Sequence, residues 1–444
     1  MALPLWAGPL HAERVRLNPD EMRLSAVEML DQRRPDVAAA MTDALLKRDP
    51  NDVQALLIRS RAMRDLGRLD EAREAARRAL ALAGSDRTVV HAASLAMAQA
   101  HSSQGRRTIA QLWLRRAAQN APDAAARDQA ERDFRYVRSR NRWSTQLSFS
   151  VAPKSNINNG SVHASVQLHG LPFDTPLPGA AQALSGIELT FTGTTRYRIA
   201  ETRTRATDLT FSAARQNYIL SDSAKQKAPG SKGSDFAITT ASAGIAHKAL
   251  FDQNRGEYTM SANAGGFFLG NNHYGNFVRG SVGARYAVSA RTKVNIGLQG
   301  DVTSGPRAPH AKAAKLHGGV THSFDSGMQI GVTFDLTQSW SDIDVADYRQ
   351  LRLGLNIASP KPILGAQTRV GLGWRIRDFE RSKYAPGKGR RDTEWTAYVD
   401  MRFTNIDYYG FNPTLTVNAS RQNSSVDLFD INRFGVQLGI RSAF

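Results

Sequence analysis

The pattern of hydrophobic and polar positions changes once along the chain, near residue 141. Before that point apolar residues recur every three to four positions among alanine, leucine and arginine, a spacing that predicts amphipathic helices. After it they alternate with polar residues at every second position, which predicts strands. We therefore expect a helical domain at 13–141 and a strand domain at 142–444, with 1–12 as a separate terminal segment.

The helical part repeats itself. Gly67 and Gly105 stand in similar surroundings, each followed by paired alanines, and Asp49-Pro50-Asn51 ends a weaker copy. The distance in sequence between the two glycines is close to the 34-residue period of tetratricopeptide repeats, in which a glycine occupies the turn between two helices. The sequence predicts about two and a half such repeats and a final helix near 123–138. A plain helical bundle is the alternative.

The second part contains fourteen alternating segments. Many run about 11–14 residues, whereas strands of soluble proteins usually have about 5–6, and the longer length suits a tilted membrane strand. The segments lie near 142–152, 187–199, 206–220, 235–248, 256–269, 276–288, 291–303, 312–324, 328–340, 347–358, 366–378, 391–404, 412–421 and 433–444. Their connections alternate between longer and shorter, as in outer-membrane barrels, and a soluble β-sandwich gives no reason for that alternation. We therefore predict a multidomain α + all-β chain: a tetratricopeptide-like array followed by a 14-stranded antiparallel transmembrane β-barrel.

The even strand count places both ends of the barrel on one side of the membrane. Short turns face the periplasm in Gram-negative outer-membrane barrels, so the helical domain is expected there too. Residues 1–12 look like the end of a signal peptide, or a ragged terminus. The last strand alternates into a terminal aromatic residue, a pattern expected to be an insertion signal read by the barrel-assembly machinery: Phe434, Val436, Leu438, Ile440 and Phe444.

The net charge of +18 first suggests nucleic acid, but the basic residues are spread over both parts and build no groove-reading element. Arginines recur on the polar face of the strands, and eight of them are candidates for the lumen, because a lipid-facing charge would cost about 2–4 kcal/mol at the membrane midplane. They are expected to face the lumen: Arg196, Arg198, Arg279, Arg285, Arg369, Arg375, Arg377 and Arg402. They line either a cationic conduit or a lumen of paired charges. Lysines in the longer loops suit contact with lipopolysaccharide.

Sites for chemistry are not evident in the sequence. The chain has no cysteine, which excludes disulfides, thiolate metal sites and a cysteine nucleophile. No glycine-rich phosphate loop follows a strand, and the ten histidines form no metal-binding pair. We therefore expect neither an enzyme nor a cofactor.

Local motifs in the first and last strands of the predicted barrel resemble those of a known family. A tryptophan-led strand at 142–150 runs into an Asn-Ile-Asn turn at 156–158, and Gly410-Phe411-Asn412-Pro413 precedes a closing hairpin through 423–425 and 433–436. With the helical repeats, the chain resembles the surface lipoprotein assembly modifiers, the Slam family, over nearly all of its length after residue 20. The resemblance implies translocation of client lipoproteins, or related secreted proteins, from the periplasm to the cell surface, with a periplasmic chaperone as a further partner.

Two other functions fit the same architecture. Exopolysaccharide-export porins also join tetratricopeptide repeats to a barrel, and a basic lumen would suit an anionic polymer. A general porin with an accessory domain is the third candidate.

Overall fold

The computed structural model describes residues 17–167 and 173–442, so the terminal segment 1–12 and Phe444 lie outside the described residues. The chain divides after Asn141 into two compact units. The first unit is helical, and the second is a closed antiparallel barrel of fourteen strands. The predicted fold class is confirmed.

The described residues of the first unit form seven helices. They are α1 (Pro19–Asp31), α2 (Pro35–Arg48), α3 (Val53–Asp65), α4 (Leu69–Leu82), α5 (Arg87–Ser103), α6 (Arg107–Gln119) and α7 (Ala124–Arg140). Small residues fill the contacts between them: Ala26, Ala38, Ala62 and Ala72 are completely buried, so that neighbouring helices approach closely. None of the described helices is long and apolar enough to cross a membrane.

The helices pair through three equivalent turns. Arg33, Gly67 and Gly105 each adopt a left-handed conformation, with φ of 59°, 77° and 75°. In each turn the next residue donates its N–H to a carbonyl five positions back, for example Arg68 to Met63 at 2.8 Å. Sequence reasoning found the two glycine turns and missed the first, because an arginine replaces the glycine that favours this conformation. The array therefore has three helix pairs and a final helix.

The barrel strands are β1 (Trp143–Lys154), β4 (Gly186–Glu201), β5 (Arg205–Leu220), β6 (Ile238–Phe251), β7 (Gly256–Leu269), β8 (Asn272–Ala287), β9 (Thr292–Ser304), β10 (Ala311–Ser323), β11 (Gln329–Ser341), β12 (Tyr348–Ala358), β13 (Gln367–Phe379), β14 (Arg390–Arg402), β15 (Phe411–Ser424) and β16 (Ile431–Ser442). A small hairpin of β2 (Ser165–Gln167) and β3 (Asp174–Pro176) lies outside the barrel sheet. Neighbouring strands pair in chain order, and β1 closes the barrel by pairing with both β4 and β16.

The strand register produces two faces. Phe149 of β1 lies opposite Phe191 of β4 and Ile440 of β16, so the three share one face. All three are exposed although they are large and apolar, as are their counterparts on the other strands. An apolar band on the outside of a closed barrel is what contact with lipid requires.

The two ends of the barrel carry different connections. The end at which β1 begins, called the short-turn end, has the connections 202–204, 252–255, 288–291, 324–328, 359–366 and 403–410. The other, the long-loop end, has 155–185, 221–237, 270–271, 305–310, 342–347, 380–389 and 425–430.

The connection between β7 and β8 departs most from the predicted alternation. The sequence predicts six residues between the fifth and sixth strands, but β8 already begins at Asn272, which leaves a turn of two residues. Gly270 and Asn271 both have positive φ, the conformation of a tight hairpin turn that glycine and asparagine tolerate. The alternation is therefore a tendency. The connections 359–366 and 403–410 at the short-turn end also have eight residues each, more than the six of 305–310, 342–347 and 425–430 at the long-loop end.

Candidate functional site: the polar lining of the barrel

The eight predicted arginines lie in strands, on the face opposite the apolar band. Two contacts identify that face as the inside of the barrel, because each skips a strand. Arg433 of β16 bonds Glu394 of β14 at 2.8 Å, and Arg375 of β13 bonds Gln422 of β15 at 2.8 Å. Side chains two strands apart converge in this way on the concave side of a curved sheet.

A buried carboxylate organises the lining near the long-loop end. Glu394 is 9% exposed and accepts Arg375 at 2.7 Å and Arg433 at 2.8 Å, one on each of its oxygens. Arg375 lies directly opposite Glu394 in the register of β13 and β14. Charge-assisted bonds to one carboxylate from two strands fix the geometry of this wall.

Aromatic rings hold two further arginines above this carboxylate. The Arg390 guanidinium lies 3.7 Å from the ring centroids of both Phe379 and Phe429. Arg377 lies 4.5 Å from the ring of Tyr348 and donates to Gln350. Stacking on aromatic faces and hydrogen bonding together restrict both side chains. The lining here is a packed wall, which sequence reasoning could not identify because the aromatic partners come from separate loops and strands.

Other predicted arginines are also neutralised by acids on neighbouring strands. Arg198 forms an ion pair with Asp208, which is 2% exposed, and Arg196 approaches the same carboxylate at 3.8 Å. Arg279 bonds Asp301 at 2.5 Å. Sequence reasoning missed Asp208 as a partner, since its pairing depends on the register of β4 and β5.

The remaining arginines lie nearer the short-turn end, and two of them carry their charge openly. Arg402 donates to Asn412 at 3.0 Å. Arg285 and Arg369 are exposed, and among the described residues neither has an acidic group within the 4.0 Å of an ion pair. The lining therefore has paired charges towards both ends, Arg375 with Glu394 near the long-loop end and Arg198 with Asp208 near the short-turn end, and open cationic positions at Arg285 and Arg369.

Loops pack together at the long-loop end. Asn156, which is buried, donates to the carbonyls of Gly160 and Asn432, and the Val162 N–H donates to the carbonyl of Asp430. His163 bonds the Asp430 carboxylate at 3.0 Å. We call these contacts between 155–163 and 430–432 the loop clasp. Beside it Ile157, Leu184, Leu220, Ala224 and Ala228 form an apolar cluster.

Three residues of the predicted insertion signal lie on the outer face and are large and exposed: Phe434, Leu438 and Ile440. Val436 shares that face through its pairing with Val417, and Phe444 lies outside the described residues. Their role in insertion stays a prediction.

Side-chain caps begin four helices of the helical unit. Asn18, Asp52, Asp86 and Asp123 cap α1, α3, α5 and α7, each accepting a backbone N–H. Asp52 also bonds Arg23 at 2.8 Å. Burial raises the pKa of Asp52, but the bonds from Arg23 and the Ala55 N–H outweigh it, so the pKa lies below its ordinary value. Within the described residues no group of three acidic or histidine side chains could hold a metal ion.

Family models match part of each unit. The model of the surface lipoprotein assembly modifier family matches residues 321–444, and the model of a tetratricopeptide repeat matches residues 26–87. The first match begins at the end of β10 and includes β11 to β16, and the second includes α2, α3 and α4. The resemblance predicted from the sequence is confirmed over these residues. Among curated proteins none matches the chain.

Several solved outer-membrane proteins are similar in structure. A BenF-like porin from Pseudomonas fluorescens Pf-5 has 7% identity and a TM-score of 0.36, over 68% of this chain and 98% of the porin. A loop-deletion mutant of OmpT from Vibrio cholerae has 8% identity and a TM-score of 0.34, over 68% and 99%. A bacterial polysaccharide outer membrane secretin has 8% identity and a TM-score of 0.34, over 68% and 98%. The closed barrel, its apolar outer band and the family match confirm the predicted outer-membrane location.

Proposed function

We propose that this protein moves client lipoproteins, or related secreted proteins, from the periplasm to the cell surface. The observation that carries the proposal is the match of the surface lipoprotein assembly modifier family to residues 321–444. Those residues contain the Glu394 carboxylate with both of its arginine partners. The region matched by the family model thus contains this charge network of the lumen lining.

Strand connectivity supports the orientation. The helical unit leads into β1 at the short-turn end, because α7 ends at Arg140 and β1 begins at Trp143. Short turns face the periplasm in outer-membrane barrels. We infer that the helical repeats stand in the periplasm, where tetratricopeptide arrays are suited to bind extended segments of other proteins.

The proposed mechanism is a handover without chemistry. A chaperone would deliver an unfolded client to the helical unit, and the client would enter the lumen at the short-turn end. The open cations Arg285 and Arg369 lie on that half of the wall and would attract acidic segments of the client. Folding of the client outside the cell would then prevent its return. Neither a nucleotide nor a cofactor is required by this scheme.

Surface display of a client tests the proposal. A candidate lipoprotein encoded near this gene is co-expressed in a Gram-negative host with this protein, or with an unrelated porin at the same level. Its exposure on intact cells is measured by antibody labelling and by protease shaving. We expect display only with this protein, at an unchanged total amount of client. Equal display with the unrelated porin, or none with any neighbouring lipoprotein, would refute the proposal.

Export of an anionic polysaccharide gains no support from these observations. The family match concerns lipoprotein assembly, and the similarity to the polysaccharide secretin is too low to carry an argument.

A further inference from the structure

Several cations lie on the outer wall of the barrel, where lipid is expected. Strand register places them on the apolar face: Lys312 lies opposite Val302 and Trp340, and Arg421 lies opposite Trp395. Between these positions, directly paired residues of β11, β12, β13 and β14 lie on the same outer face. We call this surface the outer-wall patch; it consists of Lys312, Gln338, Trp340, Arg349, Asp378, Arg391, Trp395 and Arg421.

The patch lies near the long-loop end. Lys312, Arg349 and Arg391 are each the second residue of a strand that starts there, and Arg421 is three residues before the end of β15. Trp340 and Trp395 are 51% and 60% exposed. Outward tryptophans mark the level of the lipid headgroups, where a cationic side chain costs far less than at the midplane.

The charge of the patch is only partly balanced. Arg391 pairs with Asp378, and Arg349 pairs with Glu380 at 3.2 Å. Arg421 donates to the neutral Asn423 at 3.1 Å, and neither it nor Lys312 has an acidic group within 4.0 Å among the described residues. Two cations thus remain without an acidic partner, one on each side of the paired residues.

We propose that the outer-wall patch binds the phosphate groups of lipopolysaccharide in the outer leaflet. Phosphate offers several acceptor oxygens to Arg421 and Lys312, and the adjacent tryptophans would pack against the upper part of the acyl chains. Lipopolysaccharide is the partner because the patch belongs to the end of the barrel that carries the longer loops, which in outer-membrane barrels lies outside the cell. This inference does not depend on the proposed translocation of lipoproteins.

Binding of defined lipids to the purified full-length protein tests the proposal. The probes are bisphosphorylated lipopolysaccharide, the same molecule after enzymatic removal of its phosphates, and phosphatidylglycerol vesicles. The variant Lys312→Gln/Arg421→Gln is compared with Arg255→Gln/Arg291→Gln, which removes two exposed cations at the short-turn end. Because each basic residue contributes about 1 kcal/mol to binding an anionic surface, we expect the patch variant to lose about tenfold or more in affinity. The control should stay within about twofold.

The results support or overturn the binding of phosphate by the outer-wall patch as follows. Preserved binding by Lys312→Arg/Arg421→Lys supports a charge effect, and heat-modifiable mobility on gels shows that every variant is folded. Equal binding of the dephosphorylated glycolipid would overturn the role of phosphate, and equal binding of phosphatidylglycerol would overturn the choice of lipopolysaccharide. An equal loss in the control variant would show a general effect of net charge and would overturn the site.

Discussion

Replacing Glu394 with glutamine should destabilise the barrel substantially. The side chain is nearly buried and accepts two guanidinium groups, at 2.7 Å and 2.8 Å. Glutamine keeps the shape and one acceptor oxygen but removes the negative charge. Arg375 and Arg433 would then remain close together without a counter-charge.

The size of the effect follows from the burial of this group. A pair of opposite charges about 4 Å apart gains about 4 kcal/mol at an effective dielectric constant of about 20, and Glu394 makes two such pairs. Part of that gain offsets the desolvation of three ions. Removing one member of a buried pair costs about 3–5 kcal/mol, and we expect Glu394→Gln to lower the free energy of unfolding of the barrel by about 3 kcal/mol.

The assay is urea unfolding of the full-length protein in lipid vesicles, followed by tryptophan fluorescence. Asp301→Asn is the matched control, because Asp301 also pairs with an arginine on a neighbouring strand but Arg279 is half exposed. An exposed pair contributes about 1 kcal/mol or less. An equal decrease in the free energy of unfolding in both variants would refute the reasoning. A decrease of less than about 1 kcal/mol in Glu394→Gln would also refute it, because burial would then not strengthen the contribution of the carboxylate.

Three further predictions concern the helical unit within the full-length protein, with unfolding measured by pulse proteolysis of that unit. Asp52→Asn should cost about 1–3 kcal/mol, because it removes the buried charged partner of Arg23 while the amide oxygen can still cap α3. Asp20→Asn changes an exposed partner of the same arginine and should cost less than about 0.5 kcal/mol. The pKa of Asp52 is lowered in the folded state, so its contribution to stability is complete above its ordinary pKa near 4 and is lost as pH falls through the folded value. In strong acid the free energies of unfolding of Asp52→Asn and Asp20→Asn should therefore converge. Arg33→Gly should stabilise the first turn by about 1 kcal/mol, since glycine adopts its left-handed conformation without strain, and unchanged stability would contradict this. Burial and the nearby arginines lower the pKa of His101, so the unit should lose stability as pH falls below about 6.5, and His101→Gln should abolish that dependence.

The periodic parts of the structure could be predicted from sequence, and their limits have physical causes. Alternation from Trp143 onward predicts fourteen strands because one face of every strand meets lipid. The short turn at Gly270 and Asn271 was missed because the residues after it were assigned to a loop, although they continue the strand. The first helical turn was missed because Arg33 stands where the repeat favours glycine.

The candidate site could be predicted only by residue type. Arginines on a polar face are visible in the sequence, but their partners depend on register and on loop packing. Asp208, Glu394 and Phe429 come from other strands or from the loop end, and no short-range pattern joins them to Arg198, Arg375 and Arg390. For that reason the distinction between paired and open arginines in the lumen appears only in the folded structure.

The loop clasp has a consequence for the order of assembly. Asn156 and Asn432 are separated by 276 positions, so their bond requires the first and last hairpins of the barrel to be in place together. Closing so long a loop is entropically expensive and slow, and little compensates for it until β16 has paired with β1. Until then the side chain of Asn156 has only its local hydrogen bonds with Gly160. The clasp thus forms at the end of biogenesis, and its hydrogen bonds distinguish a finished barrel from one that is still an open sheet.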